Sequence, residues 1–187
     1  MTVKDVMILC AKLLKNDSLA NYLSAQNAQQ NAELETERED YLRAYNITAE
    51  ELSCEYFPLV ERQTLTPENG KIKTSSLKKV PLKIKGVYRA QTGEQVKYRL
   101  LGGDLVTGGG DVIVEYEYRA ESLTDDKTFP LEEGVGKFVV AFGMAAQICY
   151  ENGLTGEAAV WKNKYDSAIK GRAAERRKLI IKQRKWF

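Results

Sequence analysis

Val3, Val6, Met7, Cys10, Leu13 and Leu14 recur at helical spacing, and Lys4, Lys12 and Lys15 fall away from them, which predicts an amphipathic helix over residues 3–15. Thr2 and Asp5 suit a capping arrangement at its start, and Asn16-Asp17-Ser18 is expected to stop it. Residues 26–45 predict a second, mostly polar helix whose apolar stripe is thin: Leu34, Tyr41 and Tyr45, with Leu42 beside it. A helix with so little apolar surface is exposed, or is covered by a neighbour in an assembly. Thr48-Ala49-Glu50-Glu51 has the spacing of a capping box, so a short third helix is expected from Thr48 to just before Pro58.

The pattern changes over residues 59–119. Pro67-Glu68-Asn69-Gly70 is turn chemistry. Leu82–Arg89 alternates apolar and polar positions as a half-buried strand does, Gln91–Glu94 reads as a turn, and Val96–Leu100 alternates again. Glycines at 102–103 and 108–110 break the chain around Leu105-Val106. Asp111–Tyr118, rich in β-branched and aromatic residues, is the clearest strand. A small antiparallel meander with one packed face is expected here.

Residues 130–180 return to helical spacing. Phe129-Pro130-Leu131-Glu132-Glu133 has a proline in the first turn and acids near the positive end of the dipole, which predicts a helix start. Phe138, Phe142, Ala145 and Cys149 share one face, and Asn152-Gly153 ends the helix. Thr155-Gly156-Glu157 opens another, with Ala158, Trp161, Tyr165, Ala168 and Ile169 together. So short a connection makes the two antiparallel neighbours, and Gly143, Ala145 and Ala146 would let them approach closely. The whole predicts an α+β fold, mainly α: a helical bundle with a small β meander inserted before a C-terminal antiparallel helix pair and an extended basic tail. We expect a single domain over 1–187, a β-rich insertion at 59–119 and a docking arm at 172–187. Neither an internal repeat nor a dividing linker is evident.

Composition narrows the chemistry. Apolar residues make up 43% and charged residues 29% of the 187, which is ordinary globular usage. No apolar run approaches the roughly 20 residues that span a bilayer. Met1–Asp5 lacks the order of a signal peptide, so synthesis and residence in a cytoplasm are expected. There is no histidine, which removes the usual general base and the commonest zinc ligand. Cys10, Cys54 and Cys149 are far apart and are read as buried free thiols.

The glycine run Gly102–Gly110 lacks the Gly-Lys-Ser/Thr of a phosphate loop and leads into a strand, so a loop between strands is expected. Glu33, Glu35, Glu37, Glu39 and Asp40 read as a solvated helix face, and Asp125-Asp126 as loop or capping groups. No catalytic, metal or cofactor residue is assigned, and a non-enzymatic protein is expected.

Net charge is only +2, yet Lys170–Phe187 holds eight Lys or Arg and one Glu, leaving the rest of the chain net acidic. This segment mixes Leu179-Ile180-Ile181 and Trp186-Phe187 with the cations, and Arg and Trp are residues that anchor interfaces. A docking arm is the first expectation. The alternative is a nucleic-acid-binding accessory protein, with the basic residues on phosphates and Trp186 stacking a base.

The order of parts resembles the head–tail connector (adaptor, or head-completion) proteins of tailed bacteriophages. The likeness is carried by Asp111-Val-Ile-Val-Glu-Tyr-Glu-Tyr-Arg-Ala, then Phe129-Pro130-Leu131, then Phe138-Val-Val-Ala-Phe-Gly-Met-Ala-Ala-Gln, and by a last helix with Trp161, Tyr165 and Ala168. It spans roughly residues 28–180 as an order of elements. It departs in the long polar stretch Ser24–Glu39 and in the basic aromatic tail. The resemblance implies a virion neck protein, made in the host cytoplasm. It implies a homo-oligomeric ring, commonly of twelve subunits, beneath the portal protein, with a downstream tail or neck protein as a further partner. Such a ring surrounds the DNA channel, so non-specific contact with packaged DNA is possible, and no membrane is involved. By position, portal docking would fall to Arg176, Arg177, Lys178, Lys182, Arg184, Lys185, Trp186 and Phe187. The stretch Tyr98–Tyr116 would be a candidate for contacts between subunits or with the tail.

Overall fold

The computed structural model of the chain describes residues 2–25, 31–128, 130–131 and 135–178, with side chains as far as Arg172 in the last helix. The fold is α+β, with five α-helices and two small antiparallel sheets of three strands among the described residues. It divides into two compact units. One, mainly helical, comprises Met1–Leu52 with Glu121–Phe187; the other is Ser53–Ala120, close to the β-rich insertion expected at 59–119.

In the helical unit, α1 is Val3–Leu13 and carries the expected capping box. Thr2 Oγ1 accepts from the Asp5 amide at 3.3 Å and the Thr2 amide donates to Asp5 Oδ2 at 2.7 Å. Two more free amides of this helix start, Val3 and Lys4, donate to the carbonyls of Lys127 and Asp125. Val3, Val6, Met7 and Cys10 are fully buried, as their spacing predicted.

The Asn16-Asp17-Ser18 stop is also a start. The Asn16 side chain accepts from the Leu19 amide at 3.1 Å and caps α2, Asp17–Ser24, a helix the periodicity did not show. Helix α3 runs unbroken from Ala32 to Glu51 and continues through a wider π-helical turn, Leu52–Tyr56. The helix start expected at Thr48 is therefore absent. Thr48 is buried inside α3, and its hydroxyl donates back to the Ala44 carbonyl at 2.8 Å instead of capping forward.

The chain returns to this unit along residues 121–128, pinned to α3 by side chains. Asn46 donates to the Leu123 carbonyl and accepts from its amide, at 3.2 and 2.8 Å. Arg38 holds Asp125 at 2.8 Å.

Helix α4 is Lys137–Glu151, capped by Gly136 at φ +78°, so the start expected around Pro130 lies too early. The helix is apolar nearly all round, and nine of its fifteen residues are buried. Asn152-Gly153 ends it as expected, and α5 follows as Thr155–Lys178, antiparallel to it across the short link. Ala158, Tyr165 and Ile169 of α5 are buried, while Trp161 and Ala168 are half-buried.

In the second unit, β1 (Leu59–Leu65), β6 (Val112–Tyr118) and β3 (Pro81–Arg89) form one sheet in the order β1-β6-β3. The short strands β2 (Lys71–Lys73), β5 (Asp104–Val106) and β4 (Arg99–Leu101) form the other, in the order β2-β5-β4. This is not a meander. The most apolar strand, β6, takes the centre of its sheet, and β4 and β5 fold on each other around Gly102-Gly103, whose φ values of +58° and +88° suit a two-residue hairpin turn. The run Gly102–Gly110, expected as a loop between strands, instead holds strand β5 between its two glycine clusters. Val112, Val114 and Tyr116 alternate into a core with Ile72, Ile84, Val87 and Leu105. The unit's two chain ends are tied where the Ala120 amide donates to Ser53 Oγ at 2.7 Å.

One cysteine differs from expectation. Cys10 and Cys149 are buried, and burial pushes both thiols up, but Cys54, in the π-helical turn, is exposed. A neutral maleimide is expected to label one thiol per folded chain, at Cys54, and all three after denaturation. Peptide mapping checks this, and prompt native labelling at Cys10 would contradict the burial.

Candidate interaction surfaces

Glu35, Asp125 and Asp126, three of the acidic side chains weighed for acid–base chemistry, are engaged by neighbouring side chains. Tyr22 donates to Glu35, and this bond together with Arg38 keeps the Glu35 carboxyl below the usual carboxylate range. Thr124 donates to Asp126 and lowers it likewise, while Asp125 receives Arg38. Among the described residues no group of three or more Cys, Asp or Glu side chains is placed to hold a metal, and no helix is long and apolar enough to cross a membrane.

The helical unit instead offers an apolar groove of about 390 Å³ where α3, α4 and α5 meet. Ile47 comes from α3, Gly143, Ala146 and Tyr150 from α4, and Ala158 and Ala159 from α5. Small residues open it. A Cβ on Gly143 would lie 2.5 Å from Thr48 Cγ2 and 2.9 Å from Tyr165 Cε2, so only glycine lets the three helices close to this distance. At its rim Lys162 pairs with Glu51 and Asp166, both at 3.4 Å, and lies over the Tyr165 ring at 4.6 Å. Tyr150 is 68% exposed beside it.

Also in this unit Phe138, Phe142 and Trp161 form an aromatic ladder. Phe142 stacks on Trp161 with centroids 5.9 Å apart, Phe138 follows at 6.2 Å, and Lys164 covers the Trp161 ring at 4.1 Å. Phe138 was expected on the packed face, yet half of it is open to solvent. The sequence signalled the small residues and the aromatics separately. Nothing in it showed that Ile47 and Thr48 of α3 would complete the groove.

The residues assigned to portal docking lie at the edge of what is described. Arg176, Arg177 and Lys178 continue the backbone of α5, so the chain expected as an extended arm from Arg172 is helical through Lys178. Their side chains, and Lys182, Arg184, Lys185, Trp186 and Phe187 altogether, lie outside the described residues. Within Tyr98–Tyr116 both end residues serve the β-rich unit's own packing. Tyr98 donates to the Ile84 carbonyl at 3.2 Å, and Tyr116 is fully buried, its hydroxyl accepting from the Lys79 amide at 3.3 Å.

No protein-family model matches the chain, and no curated protein matches it.

Proposed function

We propose that the chain is a head–tail connector adaptor of a tailed bacteriophage, a non-enzymatic ring component that sits under the portal in the virion neck and links capsid to tail around the DNA channel. The observation that carries the reading is the α4–α5 pair packed on α3. It leaves a groove and an aromatic ladder open on one unit, and α5 leads directly into the basic segment. A mainly helical unit that exposes Phe138, Tyr150, Leu154 and Val160 has the surface expected of a subunit covered by neighbours. The resemblance in element order gives the class of neighbours: further copies in a ring, commonly of twelve in that family, the portal protein, and a downstream neck or tail protein.

Electron microscopy of portal rings mixed with the purified protein tests this. An added ring of density coaxial with the portal is expected. Portal rings unchanged at saturating protein would contradict the reading.

A further inference from the structure

The β-rich unit carries eleven Lys or Arg and eight Asp or Glu, and its two sheets distribute them differently. On the β1-β6-β3 sheet two ion pairs form across strands. Arg62 pairs with Glu115 at 2.5 Å and Lys85 with Glu117 at 3.5 Å.

The β2-β5-β4 sheet is different. Ile72 and Leu105 point into the core, 4% and 1% exposed. The alternate positions therefore share the outer face: Lys71, Val106 and Arg99 in one row, Lys73, Asp104 and Leu101 in the next. Lys97, two residues before Arg99, extends this face along the trough it lines with Arg99 and Thr107. Lys71, Lys73, Lys97 and Arg99 are all exposed, and none makes an ion pair among the described residues. Two acids border this face without pairing to its cations: Asp104, half-buried opposite Lys73, and Glu68, bridged to Lys71 through the backbone.

Lys71 and Lys73 stand about 7 Å apart along β2, and Arg99 lies two strand spacings away, about 10 Å. The four cations thus form a short diagonal stripe, Lys73–Lys71–Arg99–Lys97. The strand positions of this face offer no Asn, Gln or aromatic side chain to read or stack a base. What it can recognise is a row of phosphates.

We propose that this face binds the phosphate backbone of duplex DNA without sequence preference. An acidic protein surface would also attract it, but one that matched four unpaired cations would have to be built for them, whereas duplex DNA presents a negative charge about every 1.7 Å of axis. The inference deepens the connector reading, whose expected contact with DNA had no place on the chain, by assigning it to this face; the charges that carry it are independent of that reading and of the basic segment at 176–187.

Fluorescence anisotropy of the full chain against a 30-base-pair duplex of random sequence, at salt from 50 to 200 mM, tests it. Binding is expected, with log K falling linearly in log salt at about −0.9 per phosphate contact. The variant Lys71→Gln, Lys73→Gln, Lys97→Gln, Arg99→Gln should lose at least tenfold in affinity and flatten the slope by about 3. Its melting temperature, and its docking on portal if the connector reading holds, should match those of the original chain, because all four side chains are exposed. Deleting Arg176–Phe187 should leave this part of the slope in place. Absence of binding at 50 mM salt, an unchanged slope in the four-site variant, or loss of all binding on deleting the basic segment would each overturn the proposal. So would a four-site variant that loses portal docking while keeping its DNA affinity.

Discussion

Gly143→Ala is expected to destabilise the protein by about 1–3 kcal/mol, the usual cost of forcing an extra carbon into a close-packed interior. The added Cβ would sit 2.5 Å from Thr48 Cγ2 and 2.9 Å from the Tyr165 ring. Neither neighbour can withdraw, since Thr48 and Tyr165 are 2% and 1% exposed. Alanine's better helix propensity offsets up to about 1 kcal/mol of this, so the net loss falls toward the lower end. A chain of this size loses about 2–4 °C in Tm per kcal/mol, so a drop of several degrees is expected.

Gly171→Ala gives the opposite sign. Gly171 lies inside α5, and a methyl group added there would meet nothing within 4 Å, so the substitution should raise stability by up to about 1 kcal/mol. Equal and favourable shifts at both sites would mean that the three helices do not close at Gly143. Thermal melts followed by circular dichroism distinguish the outcomes.

Deleting Arg176–Phe187 is expected to abolish docking on the portal while leaving the fold and the melting temperature in place. The cut removes only the last three residues of α5 from the described structure. Among the described side chains of α5, the last buried one is Ile169, well before the cut. Reversing the charge at Arg176, Arg177 and Arg184 should weaken docking in the same direction and make it less sensitive to salt. A truncated chain that docks as the full chain does would move the anchor to the groove or to the aromatic ladder.

What could be read in the sequence was what local chemistry decides. The Thr2–Asp5 box, the apolar stripe of α1, the Asn152-Gly153 break and the alternation of β6 need only their neighbours in the chain. Thr48 shows where that stops. Thr-x-x-Glu looks the same whether the hydroxyl caps a new helix or bonds back to Ala44, and burial against α4 and α5 selects the second. Asn16 could end one helix or cap the next, and it stands at both. Alternation marks β3 and β6 as strands but carries no order, and β1 was not singled out, so the pairing as β1-β6-β3 was hidden. The acceptors of α1's first amides, the carbonyls of Asp125 and Lys127, lie more than a hundred residues away. The groove needs Ile47 and Tyr150 brought together by tertiary packing. The stripe of Lys71, Lys73, Lys97 and Arg99 needs the register of two strands far apart in sequence.

Light scattering tests the central proposal most directly, on the purified protein alone and then mixed with the portal protein of the same genome. A stoichiometric ring of copies added to the portal, whatever the mass of the protein alone, is the expected result. An unchanged portal mass at saturating protein would contradict it.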